Sequence, residues 1–96
     1  MINRKQIIKY LEIEKEKLRS MGVLKIGLFG SFIKGKQKKK SDVDILVSFN
    51  YINFDRYAEL AILLEKLLKR KVDLVLESDL RPELNYIKKE VEYARI

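Results

Sequence analysis

Asp42 and Asp44 stand two residues apart at the head of an alternating stretch, Asp42-Val43-Asp44-Ile45-Leu46-Val47-Ser48-Phe49. On an extended strand the period of two places both carboxylates on one face, several ångströms apart, where they repel each other unless a cation lies between them. A third carboxylate, Asp73, sits inside Val72-Asp73-Leu74-Val75 on the face opposite the aliphatic residues, and completes a three-carboxylate site if the two strands are neighbours. The chain has no histidine and no cysteine. Imidazole bases, Ser-His-Asp triads, thiolate nucleophiles and sulfur-ligated zinc are therefore excluded, and any metal takes oxygen ligands, which points to magnesium, manganese or calcium. Two such ions about 4 Å apart polarise a phosphoryl oxygen, lower the pKa of an attacking hydroxyl and steady a departing pyrophosphate. Taken alone, an Asp-x-Asp pair reads more readily as solvated strand-end or turn residues.

Gly30-Ser31 adds a second element. A glycine at a strand end followed by a small hydroxyl lets backbone amides approach phosphate oxygens closely, and Ser31 is also placed to cap a short helix over Phe32 and Ile33. The plain alternative is a turn. Between this dipeptide and Asp42 lie five lysines, at 34, 36, 38, 39 and 40. They suit neutralising a triphosphate or attracting an acidic acceptor, or else form a solvated loop. The net charge of +7 fits attraction to nucleic acid, nucleotides or an acidic protein without choosing among them. Phe29, Phe49 and Tyr57 fall on apolar faces, so core packing explains them and no aromatic is nominated to stack a base. Glu77 and Asp79 read as capping or solvated residues near the end of a strand.

Positioning these groups requires a scaffold, and its elements are legible. Asn3 with Gln6 resembles a capping box, and Ile7, Ile8, Leu11 and Leu18 recur at helical spacing up to Gly22, giving one amphipathic helix. Leu24, Ile26 and Leu28 alternate with Lys25, Gly27 and Phe29 as a strand running into Gly30-Ser31. The Asp42–Phe49 strand follows. A second long helix begins at about Asn53 or Asp55, carries Tyr57, Leu60, Ala61, Leu64, Leu67 and Leu68 as its apolar stripe, and ends near Lys69-Arg70-Lys71. Val72, Leu74 and Leu76 define a third strand, and a last helix starts between Asp79 and Pro82 with Leu84, Ile87 and Val91 on one side. The order helix, strand, strand, helix, strand, helix predicts an α/β fold: a small mixed sheet with helices packed on its aliphatic face and the aspartate face open. Its 96 residues, without repeat or linker, predict a single domain over 1–96. No apolar run approaches the roughly 20 residues of a membrane span, and Met1-Ile2-Asn3-Arg4-Lys5 leads into a charged helix, so a soluble cytoplasmic protein with no membrane association is expected.

Read together, Gly30-Ser31, ten intervening residues, Asp42-Val43-Asp44 and the later Asp73 resemble the signature of the DNA polymerase β-like nucleotidyltransferase superfamily, most closely its minimal members. Segment Gly30 to Phe49 carries the likeness at nearly every position, including Gly35 and Ser41, and it extends from the first helix to Glu90-Val91-Glu92-Tyr93. The resemblance implies that Gly30 and Ser31 contact the triphosphate, that Asp42 and Asp44 bind metal and nucleotide phosphates, and that Asp73 completes the metal site and helps activate the acceptor hydroxyl. It implies Mg2+ as cofactor, in two ions. Lys34 stands where many minimal members have arginine, which keeps the substrate-binding charge and loses the bidentate fork. Such members commonly act as antitoxins beside a helical HEPN-class protein, so the implied reaction is transfer of AMP from ATP to a tyrosine hydroxyl of that partner. Two other readings stay open: a catalytically silent antitoxin that acts by binding its partner, and a basic nucleic-acid-binding module. The latter is disfavoured because three exposed carboxylates repel phosphates and no basic-aromatic interleaving is present. Incomplete burial in so small a chain suggests a hetero-oligomer with a protein partner, with a homodimer as the alternative.

Overall fold

In the computed structural model, which describes residues 2–96, Asn3 and Gln6 close a reciprocal cap: the Asn3 side chain accepts from the Gln6 amide at 2.9 Å and the Gln6 side chain accepts from the Asn3 amide at 3.0 Å. This satisfies two of the amides that a helix start leaves unpaired. Met1, read above as the head of that segment, lies outside the described residues. The helix it leads into is two segments, α1 (Arg4–Ile13) and α2 (Lys15–Ser20). The helix breaks at Glu14 (φ −90°, ψ 15°), but Glu14 still donates to Tyr10 O and Leu18 to Glu14 O across the break, so Ile7, Leu11 and Leu18 stay on one buried side. Gly22, at φ +88°, turns the chain into the first strand.

The four strands are β1 (Val23–Phe29), β2 (Val43–Phe49), β3 (Val72–Leu76) and β4 (Glu92–Tyr93), in spatial order β3-β2-β1-β4. β1 runs antiparallel to β2 and to β4, whereas β2 and β3 are parallel, with α4 (Phe54–Leu68) as their crossover. Ile26, Leu28, Ile45 and Val47 bury one face of the sheet against Ile7, Leu11, Leu18, Leu60 and Leu64 of the helices. One correction concerns β1: its register slips between Val23 and Lys25, so Leu24 bulges out and is 58% exposed while Val23 takes the core position. α4 starts at the Asn53 cap and also shields the outer edge of β3. The Glu65 carboxylate accepts from the Val72 amide at 3.0 Å, and the Tyr57 hydroxyl donates to Leu74 O, which occupies edge groups that would otherwise invite another strand. No helix among the described residues is long and apolar enough to cross a membrane.

The expectation of an open aspartate face needs a second correction. Beyond β3 the chain makes two 3-10 turns, Glu77–Asp79 and Pro82–Leu84, then the short α5 (Tyr86–Glu90) and β4, in place of one helix. Pro82 pushes Arg81 into the extended region (φ −72°, ψ 154°), so the helix cannot start before it. This carboxy-terminal segment crosses the far half of the aspartate face. Leu46, on that face, is fully buried yet lies apart from the main core. Its cross-strand neighbour Gly27 leaves the space that admits the cover: a Cβ there would lie 2.4 Å from Val91 Cγ1 and 2.9 Å from the Glu92 carbonyl oxygen. We expect Gly27→Val to lower stability by about 1–3 kcal/mol, read as a lower urea midpoint, because β4 cannot seat over a branched side chain. A wild-type midpoint would show that the segment is free to lift.

Candidate active site

β2 and β3 each deliver an aspartate to the same edge of the sheet. Asp44 and Asp73 are registered partners across the parallel pair, so their side chains leave the same face from strands about 4.8 Å apart. Asp42 lies one residue before β2, two before Asp44. Asp42 and Asp73 are exposed and Asp44 is half-buried. Burial first, then the carboxylates of Asp73 and Asp42, push the Asp44 pKa above the ordinary carboxylate value, and a hydrogen bond with the Asp73 carboxyl adds to this. The Ser31 backbone N–H donates to Asp44 and acts the other way.

The third contributor comes from the end of β1, where Phe29 is registered with Asp44. Gly30 follows at φ +76°, ψ −145°, and α3 (Ser31–Lys34) makes a single turn. Gly30 is the N-cap, without a side-chain hydrogen bond, so Ser31 is the first residue of the turn and not its cap. The absent side chain of Gly30 is what lets Asp44 lie against it: an ideal Cβ would fall 2.1 Å from Asp44 Oδ2 and 2.9 Å from Cγ. Lys34 ends the same turn, but its ammonium faces Glu90 Oε2 at 3.7 Å in a half-exposed pair. The structure therefore brings Gly30, Ser31, Asp42, Asp44 and Asp73 together and turns Lys34 toward the carboxy-terminal segment.

Several other residues gain a role only in the fold. Tyr93 donates to the Glu77 carboxylate at 3.4 Å, and burial, followed by Glu77, raises its pKa. With Val91 it forms the wall over Gly27 described above. Arg70, read only as part of a helix end, donates to Lys39 O at 3.0 Å and Ser41 O at 3.1 Å and lies 5.6 Å from the centre of the Phe32 ring. Their contacts are not legible in sequence, because each acts through a partner distant along the chain.

Among the described residues no three acidic side chains already converge on a common ion position. The backbone nevertheless sets the three aspartates within one strand spacing and one two-residue step of each other, a distance that side-chain rotation spans. The donors are all carboxylate oxygens, and the repulsion that raises the Asp44 pKa is the kind a divalent cation relieves. The residues present fit a hard, oxygen-liganded ion.

A mixed sheet with carboxylates heading two parallel strands, beside a glycine-led turn, defines an α/β domain suited to phosphate-bearing substrates. The chain belongs to the nucleotidyltransferase domain family, which it matches over residues 7–96, and whose members generally use divalent metal ions. It is similar to protein adenylyltransferase MntA of Thermococcus cleftensis, at 43% identity over 83 residues, 84% of each chain. Among solved structures it matches one described as a minimal nucleotidyltransferase, with a TM-score of 0.81, 28% identity and 95% of each chain covered. It also matches a chain of a tri-AMPylated Shewanella oneidensis HEPN toxin in complex with MNT antitoxin, with a TM-score of 0.64 and 25% identity over 92% of this chain and 71% of that one. The fold class read from the order of elements and the family read from Gly30 to Phe49 and Asp73 are borne out.

Proposed function

We propose that residues 1–96 act as one domain that transfers AMP from ATP to a tyrosine hydroxyl of a HEPN-type partner in the cytoplasm, and thereby serve as that partner's antitoxin. The observation that carries this reading is the register of Asp44 with Asp73, with Asp42 and the Gly30-Ser31 turn at the same edge. The name of the T. cleftensis relative and the AMPylated HEPN toxin beside the matched antitoxin support the class of reaction and of partner.

In this reading Gly30 and Ser31 contact the triphosphate, and Asp42, Asp44 and Asp73 would hold two Mg2+ ions. When bound, the ions supply Lewis-acid neutralisation of the phosphate charge. Asp73, the exposed member of the pair, accepts the proton of the tyrosine hydroxyl. The hydroxyl oxygen bonds to the α-phosphorus, the bond from that phosphorus to the bridging oxygen breaks, and pyrophosphate leaves. Lys34 exchanges its exposed pairing with Glu90, worth at most about 1 kcal/mol, for the triphosphate. The covered far half of the face limits substrate to the aspartate edge.

Coexpression with a HEPN-type partner tests this. Intact-mass and peptide mass spectrometry should show one or more AMP units on a partner tyrosine, lost with Asp42→Asn. A partner that is silenced yet unmodified would replace the enzymatic reading with inhibition by binding alone.

A further inference from the structure

The lysine-rich connection is fastened. Arg70 donates to the carbonyls of Lys39 and Ser41, the Ser41 hydroxyl accepts from the Lys38 amide at 2.7 Å, the Ser41 amide donates to Lys38 O at 3.0 Å, and the Val43 amide donates to Lys71 O at 3.0 Å. These bonds hold residues 38–41 beside residues 69–71 and gather Lys38, Lys39, Lys40, Lys69 and Lys71 on one rim. All five are exposed. Among the described residues the ion pairs are Arg4–Glu92 and Lys34–Glu90, so none of the five has a carboxylate partner. The nearby Glu65 is engaged with the Val72 amide. Lys40 lies two residues before Asp42 and Lys71 two before Asp73, so the rim adjoins the strand ends that carry the carboxylates.

We infer that this rim is the docking surface for the acceptor protein, and that the acceptor presents acidic side chains around its reactive hydroxyl. The inference rests on the AMP-transfer reading for the identity of the partner. A patch kept only for solubility needs no Arg70 clamp, and that clamp sets the three lysines of the fixed loop beside Lys69 and Lys71 at the end of the sheet where β2 and β3 begin. A protein fits better than RNA on two counts. The one ring at the rim, Phe32, is 2% exposed beneath Arg70, while the exposed Tyr51 and Phe54 follow the opposite end of β2, so unpaired bases find no stacking platform. Asp42 and Asp73 also interrupt any continuous phosphate track, whereas discrete carboxylates on a folded partner can be spaced around them.

The test compares the full chain with K38E/K39E/K40E and with K69E/K71E, using thermal melts to confirm folding and the corresponding lysine-to-glutamine sets as milder variants. Steady-state AMP transfer to the HEPN-type partner should show KM for the partner raised about 10- to 100-fold at low salt, kcat unchanged and a flatter salt dependence. Affinity for magnesium and a nonhydrolysable ATP analogue should stay at the wild-type value. Association rates are measured in parallel in an Asp42→Asn background, so that a failure of transfer itself does not obscure docking: there the charge reversals should slow complex formation by the same factor. An unchanged partner KM and association rate, an equal loss of nucleotide affinity, or lysine-dependent binding of an RNA oligonucleotide with partner kinetics untouched would each overturn the inference.

Discussion

Asp44→Asn is expected to abolish AMP transfer while making the metal-free protein more resistant to heat. The amide keeps an oxygen that accepts from the Ser31 amide, so the turn at Gly30 is retained, but the charge that attracts a cation is gone. A metal acting as Lewis acid contributes several kcal/mol to the transition state, and about 4 kcal/mol corresponds to roughly a thousandfold in rate. Stability moves the other way, because the half-buried Asp44 carboxylate faces Asp73 and Asp42, and neutralising it removes two like-charge repulsions and a desolvation cost.

The sign fixes a pH window. The Asp44 pKa is higher in the folded protein than its ordinary 3.8, so the native state binds that proton more tightly than the unfolded chain. The stability this supplies is fully present below the ordinary value and is lost as pH rises through the raised folded one. In chelator, the melting temperature of the wild type relative to Asp44→Asn should therefore fall as pH climbs from about 4 toward neutrality. Magnesium should restore the wild type and leave the variant unchanged. Differential scanning fluorimetry of both proteins across this range is decisive: a variant that melts below the wild type at neutral pH in chelator would show that the carboxylate is already neutralised within the protein.

These contrasts track what sequence could and could not specify. The runs at 43–49 and 72–76 were legible because a period of two places their aspartates opposite the aliphatic residues, whatever else the chain does. Their mutual register was not, since parallel pairing joins segments separated by a whole helix and nothing local sets it. In β1 the adjacent apolar residues Val23 and Leu24 offer two phases of alternation, and the sequence favours the one that the bulge rejects. The carboxy-terminal segment was misread because Pro82 suits the first turn of a helix as well as it suits a break, and a two-residue strand is too short to show periodicity. Gly27 belongs to the same blind spot: its meaning lies in Val91 and Tyr93, which only the fold brings to it.

Gly30→Ala should combine both penalties that Asp44→Asn separates, losing stability as well as catalysis. At φ +76°, ψ −145°, the backbone lies in a region that is essentially reserved for glycine, so any side chain costs about 1–3 kcal/mol there. The added methyl would also overlap Asp44 Oδ2 at 2.1 Å, driving the carboxylate off the Ser31 amide and away from Asp73. Transfer should drop about as far as in Asp44→Asn, and the urea midpoint should fall instead of rising. Gly35→Ala is the control, because Gly35 is also left-handed (φ +68°) but has nothing within 4 Å of its Cβ position. That variant should carry a backbone cost of about 1–2 kcal/mol and retain its rate. The two terms at Gly30 separate in an Asp44→Ala background, where the methyl meets no carboxylate and backbone strain remains beside a milder 3.2 Å approach to the residue-44 Cβ. A cycle of the four proteins should therefore show Gly30→Ala costing less stability when Asp44 is truncated. Equal costs in the two backgrounds would mean that the turn shifts enough to clear the side chain, and that the glycine serves the backbone conformation alone.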